Sequence, residues 1–198
     1  MKELREEVKG KRSPQEDVDP LFVNRWSPRA LGTEMDEDDL EALFEAARWA
    51  PSSYNNQHWR FLYSTQGDKH WEEFLDILND FNRSWAETGY ALIVMISKKT
   101  FDHNDEQAKT HSFDTGAAWE NLALEAARRD LAAHGMQGFD YEKAREVLNV
   151  PEGYQIEAMT AVGSKGDPEQ IDEDLRVEPN GRKDLDEIRT KGGFSFES

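Results

Sequence analysis

The chain has 198 residues, with 24 Lys and Arg against 41 Asp and Glu, a formal charge of −17. That excess repels nucleic acid and anionic lipid, which counts against any partner bound through a broad basic face. Aromatic residues make up 11%, a share that speaks for a packed domain rather than a disordered acidic chain. Cysteine is absent, so disulfides, thiolate zinc sites and cysteine nucleophiles are excluded together. The longest apolar run, Ala91 to Ile96, is too short to span a bilayer, and the N-terminus lacks a signal-peptide core. A cytoplasmic protein without a membrane partner is expected.

Residues 1–20 mix both charges with Pro14 and Pro20 and read as a mobile or loosely docked arm; residues 21–198 read as a single domain. Arg25-Trp26-Ser27-Pro28-Arg29 holds two arginines with no acid between them. Thr33 is the expected N-cap of a helix carrying Leu40, Leu43, Phe44 and Ala47 on one face. Its acid-rich start suits a solvated face near the positive end of the helix dipole. Pro51 stops it, and a polar loop follows to Gln57. Residues 59–63 read as a strand and 68–82 as a helix. Residues 90–97 read as a buried strand. Residues 100–112 form a polar loop, and the spacing predicts a long helix from Asp114 to Ala133. His134 to Gly138 is the expected loop that ends it. A short helix over 140–149 and a strand over 156–162 complete the list, and the last thirty residues read as an extended surface segment. Helices and strands alternate irregularly, so the class is mixed α and β around one sheet.

No P-loop, GxGxxG, HExxH or GxSxG occurs, and no two of the five His stand at helical metal-site spacing. Two segments are left that suit an anionic, hydrogen-bonding ligand. In an extended chain Arg25, Ser27 and Arg29 fall on one side, where two guanidinium forks and a hydroxyl can clamp a phosphate. Pro51-Ser52-Ser53-Tyr54-Asn55-Asn56-Gln57 offers hydroxyls and carboxamides that match a ring bearing alternating C=O and N–H groups. Taken singly, each also fits a blander role: arginines paired with local acids, and a loop that caps its neighbours. His111 and Trp119 read as a capping residue and a packing residue.

Further segments follow in a fixed order. They are Asp114-Thr115-Gly116-Ala117-Ala118-Trp119-Glu120-Asn121-Leu122, then Gly138-Phe139-Asp140, then Ala161-Val162-Gly163, then Arg182-Lys183-Asp184-Leu185. With the two segments above, they resemble the nitroreductase family of FMN-dependent oxidoreductases over residues 22–190. The resemblance implies an α+β, three-layer fold with a mostly antiparallel sheet flanked by helices and a long central helix at a homodimer interface. It implies that Arg25, Trp26, Ser27 and Arg29 hold the phosphate and ribityl chain of FMN, with Arg182 and Lys183 returning from the C-terminal segment. Pro51, Ser52, Ser53, Asn55 and Gln57 would line the flavin, that of the partner subunit included. Met136, Gln137 and Gly138 would lie near flavin N5. The flavin carries the chemistry, so no side chain is named as catalytic. NAD(P)H is the implied donor, and a small nitroaromatic or quinone the implied acceptor, in a ping-pong cycle. The same motifs leave open an FMN-binding sensor or carrier without turnover, and flavin-fragmenting, dehalogenating or dehydrogenating relatives. The glycine loop is shorter here than is usual in the family, and His58 stands where proline is common.

Overall fold

The computed structural model describes residues 3–196. Five strands form one antiparallel sheet: β1 (Leu31–Gly32), β2 (Trp59–Thr65), β3 (Ala91–Lys98), β4 (Leu131–Met136) and β5 (Tyr154–Lys165). β5 is the hub. It pairs β3 from Tyr154 to Val162, β4 from Met159 to Ser164, and β1 at its end. β2 pairs the other edge of β3 from Trp59 opposite Ser97 to Thr65 opposite Ala91.

The apolar run in β3 is buried on both faces, and its alternation sorts the two cores. Leu92, Val94 and Ile96 pack with Trp71, Phe74, Leu75 and Trp85. Those side chains come from α3 (Trp71–Ile77) and α4 (Asp80–Ala86), with Ala144 of α6 (Tyr141–Val147) joining them. Ala91, Ile93 and Met95 face the opposite core, made with Leu40 and Leu43 of α2 (Glu37–Arg48) and Ala118, Leu122, Ala123 and Ala126 of α5 (His111–Arg128). The alanines let α5 lie close on the sheet. The result is the expected helix–sheet–helix sandwich. Among the described residues no helix is long and apolar enough to cross a membrane.

The elements differ from the sequence expectation at four places. The long helix starts at His111 and ends at Arg128, and Leu131-Ala132-Ala133 belong to β4. Asp130 makes the break: its φ of 65° lies in the left-handed region, which Asp tolerates better than most side chains. Second, His134 to Met136 are strand residues rather than a loop. Third, the stretch 68–82 is two helices, because Leu78 turns extended and Asn79 caps α4 by accepting from Asn82 N at 2.8 Å. Fourth, Asp36, not Thr33, caps α2, accepting from Asp39 N at 2.9 Å.

The N-terminal arm is docked rather than loose. Val8 is fully buried, Arg5 N donates to Asn24 Oδ1 at 2.8 Å, and Arg5 Nη2 donates to Ala127 O at 2.6 Å. Arg12 ties the arm to both α1 (Pro20–Asn24) and the C-terminal segment through the carbonyls of Val23, Arg25 and Asn180. Beyond β5 the chain is mostly extended, with one short helix, α7 (Leu185–Ile188).

Candidate functional site

Two cavities meet at Ser27. The first, about 670 Å³, lies between the segment after α1 and the C-terminal segment. Its cations are Arg12, Arg25, Arg182 and Lys183, with His134 and Trp26 beside them. The second, about 480 Å³, opens between α5 and the β4–β5 pair and is walled by Met95, Trp119, Gly135, Met136 and Gln137. Ser112, Thr115 and Glu157 also border it.

The cationic end is built by chain segments far apart in sequence. Arg25 follows α1 and is held by Glu120 of α5, whose Oε1 is 3.5 Å from Arg25 Nε. Arg12 comes from the arm and Arg182 from the C-terminal segment. Asn180 Oδ1 accepts from both, at 3.2 Å from Arg12 Nη2 and 3.1 Å from Arg182 Nη1. Burial, and then the charges of Arg182 and Arg25, push the Arg12 guanidinium down to about 10. Three guanidinium groups that repel one another in this way form a site suited to a multiply charged anion. Trp26 Nε1, at this cavity, is a buried donor without an acceptor among the described residues, so it has a hydrogen bond to spare for a ligand.

The ring-sized end is positioned by two close approaches. A Cβ on Gly135 would sit 3.0 Å from the Trp119 ring, so glycine lets the indole lie against β4. A Cβ on Gly138 would come within 2.4 Å of Asn82 Nδ2, which itself donates to Gly138 O at 2.9 Å. These contacts fix Met136 and Gln137 at the cavity wall. His134 is half-buried against Trp85, ring centres 4.5 Å apart, and its Nδ1 bonds Pro28 O at 3.0 Å. Burial, and then the charge of Arg29, hold His134 below its ordinary range despite that bond.

The structure brings together Arg25, Trp26, Ser27, Arg182 and Lys183 at one cavity and Met136 and Gln137 at the other, with Gly138 next along the chain. Arg29 lies elsewhere. The chain bends there after Pro28, and the guanidinium sits 4.7 Å over the Phe81 ring and donates weakly to Leu175 O at 3.4 Å. Pro51, Ser52, Ser53, Asn55 and Gln57 line neither cavity. Their loop is pinned to α5: Ser53 N donates to the buried Asp114 carboxylate at 2.9 Å, and Gln57 N to Ser52 Oγ at 3.0 Å. Tyr54, Asn55 and Gln57 all hold positive φ near 53°, a conformation that non-glycine residues adopt at a cost. Tyr54 projects outward at 82% exposure. Sequence reasoning missed Arg12, His134, Asn180, Trp119 and Glu157. Only Arg12 left a signal, the basic run Lys9-Gly10-Lys11-Arg12 in the arm.

A cationic cavity adjoins a slot walled by Trp119 and Met136 on a helix–sheet–helix sandwich, an arrangement whose shape and charge suit an elongated ligand with an anionic end and a flat end. The nitroreductase family model matches residues 23–84 and 64–164, so the chain belongs to the nitroreductase family. A crystal structure described as the oxidoreductase containing FMN superposes with a TM-score of 0.89 at 36% identity, covering 94% of this chain and 97% of that one. A Desulfovibrio desulfuricans protein in complex with FMN shares the fold at a TM-score of 0.70 and 21% identity, with 90% and 100% covered. An uncharacterized 15.4 kDa protein of Mycolicibacterium smegmatis is 33% identical over 112 residues, 55% of this chain and 74% of the relative.

Proposed function

We propose that the protein is an FMN-dependent oxidoreductase that takes electrons from NAD(P)H and passes them to a small acceptor of the nitroaromatic or quinone class. The observation that carries this reading is the joined pair of cavities, with cations at one end, a Trp119 and methionine wall at the other, and Ser27 between. FMN, when bound, supplies the hydride chemistry that no side chain of the site can perform.

The residues supply the rest. Arg12, Arg25, Arg182 and Lys183 would neutralise the phosphate, and Ser27, shared by both cavities, would meet the chain that joins phosphate and ring. Met136 and Gln137 would border the ring, and Trp119 and Met95 would help to shield it from water. The Ser52–Gln57 loop faces away from its own cavities, beside two more exposed aromatic residues: Phe113 at 79% and Trp49 at 71%. Such a surface supports a homodimer in which each loop borders the flavin of the partner subunit.

The test is direct. Purified protein should be yellow, release FMN on denaturation, and oxidise NADH or NADPH only when a quinone or nitroarene is supplied. A colourless protein that takes up no added FMN would sink the reading.

A further inference from the structure

A polar cluster adjoins the ring-sized cavity and reaches it through Glu157 and Ser112. Ser97 ends the apolar run of β3 and is fully buried. Its hydroxyl lies 2.7 Å from His111 Nδ1 and also meets Glu157 Oε1. Ser112 Oγ reaches the same carboxylate oxygen at 2.8 Å, and Gln155 Nε2 donates to Oε2 at 3.1 Å. His111 Nδ1 itself is 3.6 Å from Glu157 Oε1. Glu157 and Ser112 border the cavity, whereas Ser97 and His111 do not.

Donor counting orders this chain. Oε1 of Glu157 is met by the hydroxyls of both Ser97 and Ser112 and acts as their acceptor, so the single hydroxyl proton of Ser97 goes to it. Ser97 Oγ must then accept from its other neighbour, which places a proton on His111 Nδ1. The sequence His111 Nδ1–H, Ser97 O–H, Glu157 follows. Tyr141 of α6 is the other titratable group against Glu157; its hydroxyl donates to the Glu157 backbone carbonyl at 3.4 Å. Among the described residues no lysine or arginine pairs with Glu157. His111 keeps 12% of its side chain exposed, which links the far end of the chain to water.

We infer that His111, Ser97 and Glu157 form a proton relay, with Glu157 as a catalytic acid for quinone- or nitro-type acceptors reduced in this cavity. The inference rests on the proposed oxidoreductase function, because reduced flavin is the hydride donor. In the step, the acceptor gains a hydride with its electron pair and becomes an anion. The Glu157 O–H bond then breaks, its electron pair stays on the carboxylate, and the proton bonds to the acceptor oxygen. A quinone thereby becomes a hydroquinone. Glu157 regains a proton from Ser97, Ser97 takes the one on His111 Nδ1, and His111 takes one from water at Nε2. The chain resets when His111 exchanges its Nε2 proton for one at Nδ1.

The test compares wild type with Glu157→Gln and Ser97→Ala, after FMN content has been read from visible absorbance. The reduced proteins are reoxidised by benzoquinone, which takes up protons, and by ferricyanide, which takes electrons alone. The relay requires the benzoquinone-to-ferricyanide rate ratio to fall by about tenfold or more in both variants. A second readout needs no turnover: the ring nitrogen shifts of His111 should report the Nδ1–H tautomer in wild type and its loss in Ser97→Ala. An unchanged rate ratio in either variant, or an Nε2–H tautomer in wild type, overturns the relay. Protein that binds no FMN would remove the reading beneath it; the tautomer measurement, independent of flavin, tells the two failures apart.

Discussion

Arg12 is 9% exposed, yet among the described residues no carboxylate lies in contact with it. Three main-chain carbonyls and Asn180 Oδ1 take four of its five N–H donors, and two neighbouring arginines push against it. It stays charged at pH 7, because about 10 is still three decades above neutrality. A bound phosphate would relieve that repulsion, and Arg12 would then link the proposed cofactor to arm and C-terminal segment at once. Arg12→Ala should weaken FMN binding by roughly one to two orders of magnitude, the loss of about 1.5–3 kcal/mol expected for one charged hydrogen bond. Arg12→Lys should fall between, since it keeps the charge and loses the fork; quenching of FMN fluorescence on titration measures both. His134 gives a second test at this scale. Its folded pKa lies below the ordinary value of 6.5, so below that pH the unfolded chain binds more protons than the folded one. Its contribution is present in full above 6.5 and is lost as pH falls from there through the folded value. The stability of wild type minus that of His134→Phe should therefore decrease between pH 7 and pH 5, as read from urea midpoints.

The β4 strand decides where the ring-sized cavity lies, and one glycine decides where β4 ends. Gly138 O takes bonds from Asn79 N at 3.2 Å and Asn82 Nδ2 at 2.9 Å, so the chain leaving β4 is tied to the start of α4. A methyl group at Gly138 would enter the space of both asparagine carboxamides, at 2.4 and 2.7 Å. Gly138→Ala should cost about 1–3 kcal/mol of stability, as overpacking does, and should loosen FMN as Gln137 shifts; thermal melts with and without FMN separate the two losses. The same region shows what the sequence can and cannot display. β3 and α2 are legible because a continuous apolar run and a helical spacing have one packing solution each. β4 is not, because Leu131-Ala132-Ala133 extends an alanine-rich helix by every local propensity. Only the left-handed turn at Asp130 and the pairing with Met159–Ser164 make it a strand. At the cationic cavity, Arg25 and Ser27 were legible in a local spacing, and Arg182 and Lys183 through the family resemblance. Arg12, Asn180 and His134 reach the same cavity from separate segments, and Glu157 reaches the other from a strand whose pattern shows only half-burial. Arg29 satisfies the period of two, but the bend after Pro28 sends it to Phe81.

At the scale of the whole molecule the charge of −17 opposes the site's own chemistry. Four cations gather around one cavity, and a bound FMN phosphate would cancel about half of their charge. The surface beyond the cavity rim stays acidic: α2 alone opens with Glu37, Asp38 and Asp39 in its first turn. Under the proposed function, an approaching NAD(P)H, itself anionic, would meet that long-range field before it met the arginines. Repulsion of this kind acts on encounter rather than on the bound complex, so it belongs in kcat/KM and not in kcat. Screening lengths shrink from about 30 Å at 0.01 M salt to about 3 Å at 1 M, which leaves the short-range arginine contacts and removes the distant acids. For the FMN-loaded protein, kcat/KM for NAD(P)H should therefore rise several-fold from 0.01 to 0.5 M NaCl, while kcat changes little. An uncharged quinone should show no such rise in its own kcat/KM. If NAD(P)H instead loses efficiency with salt, the local cations outweigh the net charge at the cavity mouth, and the acidic surface has no part in steering the donor.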